Sequence, residues 1–138
     1  MAEVREVGEL GASVDDVWKL VGDFGGFVQA LGAPVEVDGE GIGQTRSIRM
    51  GGGEPTVERL EERDEAGKRV VYSIVSGALP VKSYVSTMQL SPAGEGRTTI
   101  EWSSTFEPAE GSTEADASAV VTAIYKGGIG AMQARFGG

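Results

Sequence analysis

The feature that most constrains the fold of this chain is a long central region in which apolar and polar residues alternate. The alternation runs from Pro34 to about residue 107, and glycine or proline interrupts it roughly every ten residues. Alternation puts every second side chain on one face of a strand, and regular turn residues are typical of an antiparallel meander. Another strand is predicted ahead of it, over residues 3–10. The meander strands are predicted over 35–38, 42–50, 55–64, 69–77, 82–91 and 97–107.

Two short helices are predicted after the first strand. Ser13 is followed three residues later by Asp16, and a hydroxyl and a carboxylate at this spacing mark a helix start. The next apolar residues recur at helical spacing; they are Val14, Val17, Trp18 and Val21. A second helix is predicted over residues 24–31. The turn between the two is assigned to three glycines, Gly22, Gly25 and Gly26.

A long final helix is predicted from about Ser112 to Phe136, with Ser112 or Thr113 as its cap. Three glycines weaken it, each by up to about 1 kcal/mol relative to alanine, and mark either a kink or a close helix–sheet contact; they are Gly127, Gly128 and Gly130. The predicted fold is therefore α+β, a helix-grip fold: a curved antiparallel β-sheet wrapped around a long C-terminal helix, with two short helices after strand 1. Residues 1–138 are predicted to form a single domain, as expected for this length.

Composition excludes several functions. The chain has no cysteine and no histidine, which rules out catalytic triads and metal sites built on those residues, and no metal and no cofactor are predicted. Its 21 acidic and 12 basic residues give a net charge of −9, which disfavours nucleic acid as a partner. The charged N-terminus lacks a continuous apolar stretch, so no membrane insertion and a cytoplasmic location are expected. The protein is expected to be a monomer or weak homodimer, and its acidity is interpreted as favouring solubility, with a docking face as the alternative.

Strand alternation also predicts which side chains point inward. Ile48 and Met50 are natural core residues, so Arg46 points inward with them; Leu60 places Glu58 on the same face. The inward positions of the later strands are Val70, Tyr72, Ile74, Tyr84, Ser86, Met88, Leu90, Ile100, Trp102, Ser104 and Phe106. A mainly apolar concavity with a few polar groups is how small-molecule sites are usually built. The predicted ligand-binding residues are Arg46, Ile48, Glu58, Tyr72, Tyr84, Ser86, Met88, Trp102, Ser104 and Phe106, together with Tyr125 of the last helix.

Arg46 and Glu58 are the candidates for catalysis. An inward arginine and an inward glutamate on neighbouring strands are expected to form an ion pair, since an isolated buried charge is costly. In such a pair Glu58 should stay ionised; if Arg46 swings away, burial would raise the pKa of Glu58 and make it a usable acid or base. The alternative is a purely structural pair that holds the strand register.

A series of short motifs resembles one protein family in order and spacing, from about residue 3 to 135. The motifs are Val17-Trp18, Asp23-Phe24-Gly25-Gly26, Gly43-Gln44-Thr45-Arg46, Val57-Glu58-Arg59-Leu60 with Asp64, Arg69 with Tyr72, Leu79-Pro80-Val81 with Tyr84, and Glu101-Trp102 with Phe106. On these motifs the chain resembles the polyketide cyclase/dehydrase-like branch of the SRPBCC superfamily (START/Bet v 1-like). The resemblance implies a helix-grip fold with a deep cavity for lipids, hormones, polyketides or other hydrophobic molecules. The chain departs from it at 27–30, where relatives often have a tryptophan and a proline.

Three functions follow as hypotheses. The first is binding of a small hydrophobic molecule, such as a lipid, polyketide or aromatic metabolite, in an internal cavity. The second is a cyclase or dehydratase in which Glu58 or a tyrosine moves a proton while Arg46 steadies an enolate or carbonyl oxygen. The third is a protein-interaction module that docks a basic partner through its acidic surface.

Overall fold

The structure, a computed structural model that describes residues 1–49 and 54–138, is dominated by one curved antiparallel sheet. The elements are β1 (Ala2–Leu10), α1 (Val14–Val21), α2 (Phe24–Ala30), β2 (Val35–Asp38), β3 (Thr45–Ile48), β4 (Thr56–Asp64), β5 (Arg69–Ser76), β6 (Val81–Pro92), β7 (Thr98–Pro108) and α3 (Glu114–Phe136). Across the described residues, seven strands lie in the order β1-β7-β6-β5-β4-β3-β2. The predicted α+β helix-grip fold is confirmed.

The strand bounds differ from the predicted ones mainly at β3. Its predicted start at residue 42 is wrong, because Gly41 and Gly43 adopt φ angles of 64° and 92° in the turn that leads into it. These left-handed angles suit glycine and are incompatible with an extended strand. The predicted end of this strand at Met50 lies outside the described residues.

Capping side chains set the start of the two short helices. The Asp16 backbone N–H donates to Ser13 Oγ at 3.2 Å, and the Gly26 N–H donates to Asp23 Oδ1 at 3.1 Å. Because Asp23 caps α2, the helix already includes Gly25 and Gly26, so their assignment to the preceding turn is wrong. A side chain at Gly25 would collide with Val37 of β2, and the glycine therefore permits a close helix–strand contact.

Helix α3 begins after Thr113, whose hydroxyl accepts a hydrogen bond from the Asp116 N–H at 3.1 Å. It runs unbroken through its glycines to Phe136. A Cβ on Gly128 would lie 2.5 Å from Cζ3 of Trp102, so of the two readings of this glycine the close helix–sheet contact is the observed one. One face of α3 is buried; its members are Ala117, Val121, Tyr125, Ile129 and Met132.

The inner face of the sheet supplies much of the core. The described residues predicted to point inward are all buried except Ile74, which is half-buried. The inward prediction for Met50 lies outside the described residues. Within 1–49 and 54–138, none of the helices combines the length and apolarity needed to cross a membrane.

Candidate ligand-binding cavity

A cavity of about 250 Å³ lies between the sheet and helices α2 and α3. Apolar side chains and glycines make up most of its wall, as in typical small-molecule sites. The lining residues are Phe27, Val28, Leu31, Ala33, Arg46, Ile48, Thr56, Glu58, Tyr72, Ile74, Leu79, Tyr84, Trp102, Val121, Ile124, Gly127, Gly128 and Ala131.

The structure divides the predicted ligand-binding residues into two groups. Those that line the cavity are Arg46, Ile48, Glu58, Tyr72, Tyr84 and Trp102. Those that lie in the packed core, outside the cavity wall, are Ser86, Met88, Ser104, Phe106 and Tyr125. Alternation identifies the concave face correctly, but α3 covers part of that face directly. Tyr125, for example, is predicted to bind the ligand, but its ring stacks on the Trp102 ring at a centroid distance of 4.5 Å.

The lining residues missed by sequence reasoning come mostly from the helices. Helix α2 and the residues that follow it contribute Phe27, Val28, Leu31 and Ala33, and α3 contributes Val121, Ile124, Gly127, Gly128 and Ala131. Their spacing puts them on one helical face, which was a usable signal. Helical spacing does not say how far that face lies from the sheet. A residue that lines the cavity and a residue that packs in the core therefore look alike in sequence.

Arg46 and Glu58 form a buried ion pair in the cavity wall. Arg46 Nε donates to Glu58 Oε1 at 2.7 Å, and the two residues are 3% and 8% exposed. Arg46 Nη1 donates to the Phe24 carbonyl at 2.6 Å, at the start of α2. The guanidinium lies 3.9 Å from the Phe24 ring centroid and 4.9 Å from that of Tyr72, which places a planar cation against aromatic faces. The predicted pair therefore exists, and it ties β3, β4 and α2 together.

The pKa of Glu58 is raised above its ordinary value even though Arg46 is bound. Burial is the largest cause, and the charge of Arg46 and its hydrogen bond oppose it. Pairing with Arg46 favours the ionised form, as expected from the sequence, but desolvation outweighs the arginine and raises the pKa. Among the described residues, the hydrogen bonds of Glu58 engage only Oε1. Oε2 is thus available to a molecule in the cavity.

A hydroxyl network lies beside the ion pair. Trp102 Nε1 donates to Tyr72 OH and to Ser86 Oγ, each at 3.1 Å. Ser86 Oγ lies 3.0 Å from Tyr125 OH, which in turn hydrogen bonds to Tyr84 OH. Burial raises the pKa of all three tyrosines, so their hydroxyls stay protonated at neutral pH and can donate hydrogen bonds. Tyr72 and Tyr84 also line the cavity.

The cavity opens to the outside past apolar residues. Leu31, Leu79 and Ile124 are half-buried, and Gly127 is exposed. No other group would contact a Cβ on Gly127, whereas one on Gly128 would meet Trp102. The mouth therefore lies between the end of α2, the β5–β6 loop and the middle of α3.

The described residues contain no acidic cluster suited to a metal ion.

The architecture and the cavity define the class of this protein: a helix-grip, Bet v 1-like fold in which the sheet and the last helix enclose an internal space. Sequence comparison gives the family. The chain belongs to the family described as polyketide cyclase / dehydrase and lipid transport, whose sequence model matches residues 1–137. Among curated proteins, none matches the chain.

Solved structures share the fold over nearly the whole chain. The protein XoxI from Bacillus cereus is 29% identical, with a TM-score of 0.89 over 99% of this chain and 96% of its own. A protein from Bacillus thuringiensis is 31% identical, with a TM-score of 0.86 over 98% of each chain. Norcoclaurine synthase from Thalictrum flavum, in complex with dopamine and hydroxybenzaldehyde, is 18% identical, with a TM-score of 0.71 over 94% of this chain and 83% of its own. At that identity the likeness to the synthase shows the fold alone.

Proposed function

We propose that this protein binds a small, largely apolar molecule in the cavity between the sheet and α3. The observation that carries the proposal is the cavity of about 250 Å³, which has an apolar wall and a buried Arg46–Glu58 pair within it. Apolar walls provide most of the free energy of binding for such guests, and a few fixed polar groups select and orient them.

The comparisons support this class of ligand. Lipid transport is part of the description of the family, and the solved synthase of the same fold holds dopamine and hydroxybenzaldehyde, two small aromatic molecules. The wall of this cavity includes Phe27, Tyr72, Tyr84 and Trp102, which suit aromatic or otherwise flat apolar guests.

The two tryptophans allow a direct test. Trp102 lines the cavity, whereas Trp18 lies on the core face of α1 and does not. In a titration with apolar aromatic compounds, the indole N–H resonance of Trp102 is expected to shift while that of Trp18 stays in place. Trp102→Phe assigns the two signals. A broad panel that moves neither resonance, or both equally, would contradict the proposal. Mass spectrometry of small molecules retained by protein purified gently from its native host would identify the ligand.

A second candidate function is catalysis of an aldol-type cyclisation or dehydration. It is favoured by the raised pKa of Glu58, a cavity-lining carboxylate next to a fixed cation. Glu58 would take a proton from carbon adjacent to a carbonyl, and Arg46 would stabilise the oxygen that gains negative charge.

This second function predicts that Glu58→Gln loses turnover while it keeps ligand affinity. Removing one member of a buried pair costs roughly 3–5 kcal/mol of stability, so the folded fraction of the variant must be measured alongside. Equal turnover in the folded variant would remove Glu58 from the mechanism.

The third hypothesis, an interaction module, gains no support from a core that contains a cavity. A cytoplasmic, monomeric or weakly dimeric protein that does not bind nucleic acid remains our expectation.

A further inference from the structure

We infer that the cavity takes an uncharged amphiphile polar end first, with a ring-sized hydroxylated head against Glu58 and its apolar remainder at the mouth. This inference rests on the proposed function and specifies the chemical class and the orientation of the ligand. It follows from where the polar and apolar lining residues lie, from the charge balance of the wall, and from the cavity volume.

The polar lining groups lie deep and the mouth is apolar. Arg46, Glu58 and Tyr72 are buried and interlocked with the start of α2 and with Trp102. Leu31 and Leu79, at the opening, are half-buried. A guest whose polar end stayed at the mouth would leave the free oxygen of Glu58 without a partner, and an unsatisfied buried polar group costs about 1–3 kcal/mol. Insertion of the polar end first satisfies that oxygen and keeps apolar surface against the apolar mouth.

The charges of the wall favour a neutral guest. Arg46 donates to Glu58 through Nε and to the Phe24 carbonyl through Nη1, and its positive charge is balanced by the Glu58 carboxylate, so the pair has no net charge. A carboxylate guest would sit beside the Glu58 carboxylate, where like charges repel strongly in a poorly solvated space. A neutral hydroxyl can donate to Glu58 Oε2 without adding charge.

The volume limits the enclosed part to one or two rings. About 250 Å³ equals the liquid volume of roughly eight water molecules and lies just below the usual range for drug-sized pockets. A long acyl chain cannot coil inside this space. Any longer apolar part must leave through the mouth, where the wall at Gly127 has no side chain.

A series of substituted benzenes tests the head group, with the Trp102 indole resonance as readout. We expect 4-butylphenol to bind at least tenfold more tightly than butylbenzene, and 4-butylbenzoate to bind more weakly than the phenol. Lengthening the chain to 4-octylphenol should preserve binding, because the added carbons lie at and beyond the mouth. Nuclear Overhauser contacts should join the phenol ring to Tyr72 and the chain terminus to Leu31 or Leu79.

Two glycines of α3 provide matched variants for the mouth. Gly127 lines the cavity, and Gly130 is exposed and does not. Neither position has a neighbour that a new Cβ would meet. Gly127→Leu is expected to weaken 4-octylphenol binding at least tenfold, whereas Gly130→Leu should leave it unchanged.

The possible outcomes separate this inference from the proposed function. Tighter binding of the benzoate, equal binding of butylbenzene, or the reversed set of contacts would overturn the inference and leave a ligand-binding cavity in place. Loss of binding on going from butyl to octyl would show a closed site and overturn the mouth assignment. If none of the compounds shifts the Trp102 resonance, the proposed function fails, and the inference fails with it.

Discussion

Glu58 experiences two opposing effects within a few ångströms. Arg46 holds one carboxylate oxygen at 2.7 Å and favours the ionised form, while burial favours the protonated form and prevails. Opposing effects of this kind are common at functional sites, where a carboxyl with a raised pKa can act as an acid or a base. The position of Glu58 in the cavity wall, rather than its pKa, is what makes it a candidate site residue.

The raised pKa of Glu58 gives a prediction with a definite sign. Its side-chain carboxyl carbon should titrate above the ordinary value of 4.5, and Arg46→Met should raise the midpoint further because it removes the opposing charge. Since the folded pKa is raised, the stabilisation from Glu58 is complete below the unfolded pKa and is lost as pH rises through the folded pKa.

NMR of the carboxyl carbon, with Glu58→Gln to identify the signal, measures the midpoint. The free energy of unfolding of the wild type relative to Glu58→Gln, followed from pH 4 upward, measures the linkage. A midpoint at or below the ordinary value, or a relative stability that increases with pH, would contradict the prediction.

At the scale of elements, the packing of α3 on the sheet depends on the absence of a side chain at Gly128. Gly128 lets the helix approach the Trp102 ring, which also stacks on Tyr125 with an interplanar angle of 17°. Gly8 of β1 plays a comparable part, since a Cβ there would lie 2.6 Å from Cγ2 of Ile129. Two glycines on facing elements thus permit close contact between helix and sheet, and Gly128 and Trp102 also form part of the cavity wall.

Gly128→Ala is therefore expected to destabilise the protein although alanine is the better helix former. The Trp102 ring is stacked and buried, so it cannot move aside cheaply, and overpacking of this kind costs about 1–3 kcal/mol. Gly130→Ala, in open space on the same helix, should instead stabilise by up to about 1 kcal/mol. Urea unfolding midpoints compare the two variants. A gain in stability for Gly128→Ala would show that the contact is not limiting.

At the scale of the whole molecule, the fold was far more predictable from sequence than the cavity. Alternation identified the concave face, and capping residues such as Ser13 placed the helix starts, because both signals are local. The cavity depends on how far α2 and α3 lie from the sheet, and helical periodicity carries no such distance. Tyr125 shows the consequence: its face was predicted correctly, but the ring packs on Trp102 and does not line the cavity.

The position of β1 in the sheet has a consequence for the folding pathway. Strands β2 to β7 each pair with a neighbour in sequence, whereas β1 pairs with β7, joining Ala2 to Phe106 and Leu10 to Thr98. The chain between β1 and β7 forms a long loop, and closing it costs entropy before the strands can pair. We therefore expect β1 to dock after the rate-limiting step.

Val4→Ala, a truncation on β1, should then accelerate unfolding with little change in the refolding rate, while Leu90→Ala within the β6–β7 hairpin should slow refolding. Stopped-flow kinetics on both variants would tell whether the first strand of the chain is the last to join; a slowed refolding of Val4→Ala would place it in the nucleus instead.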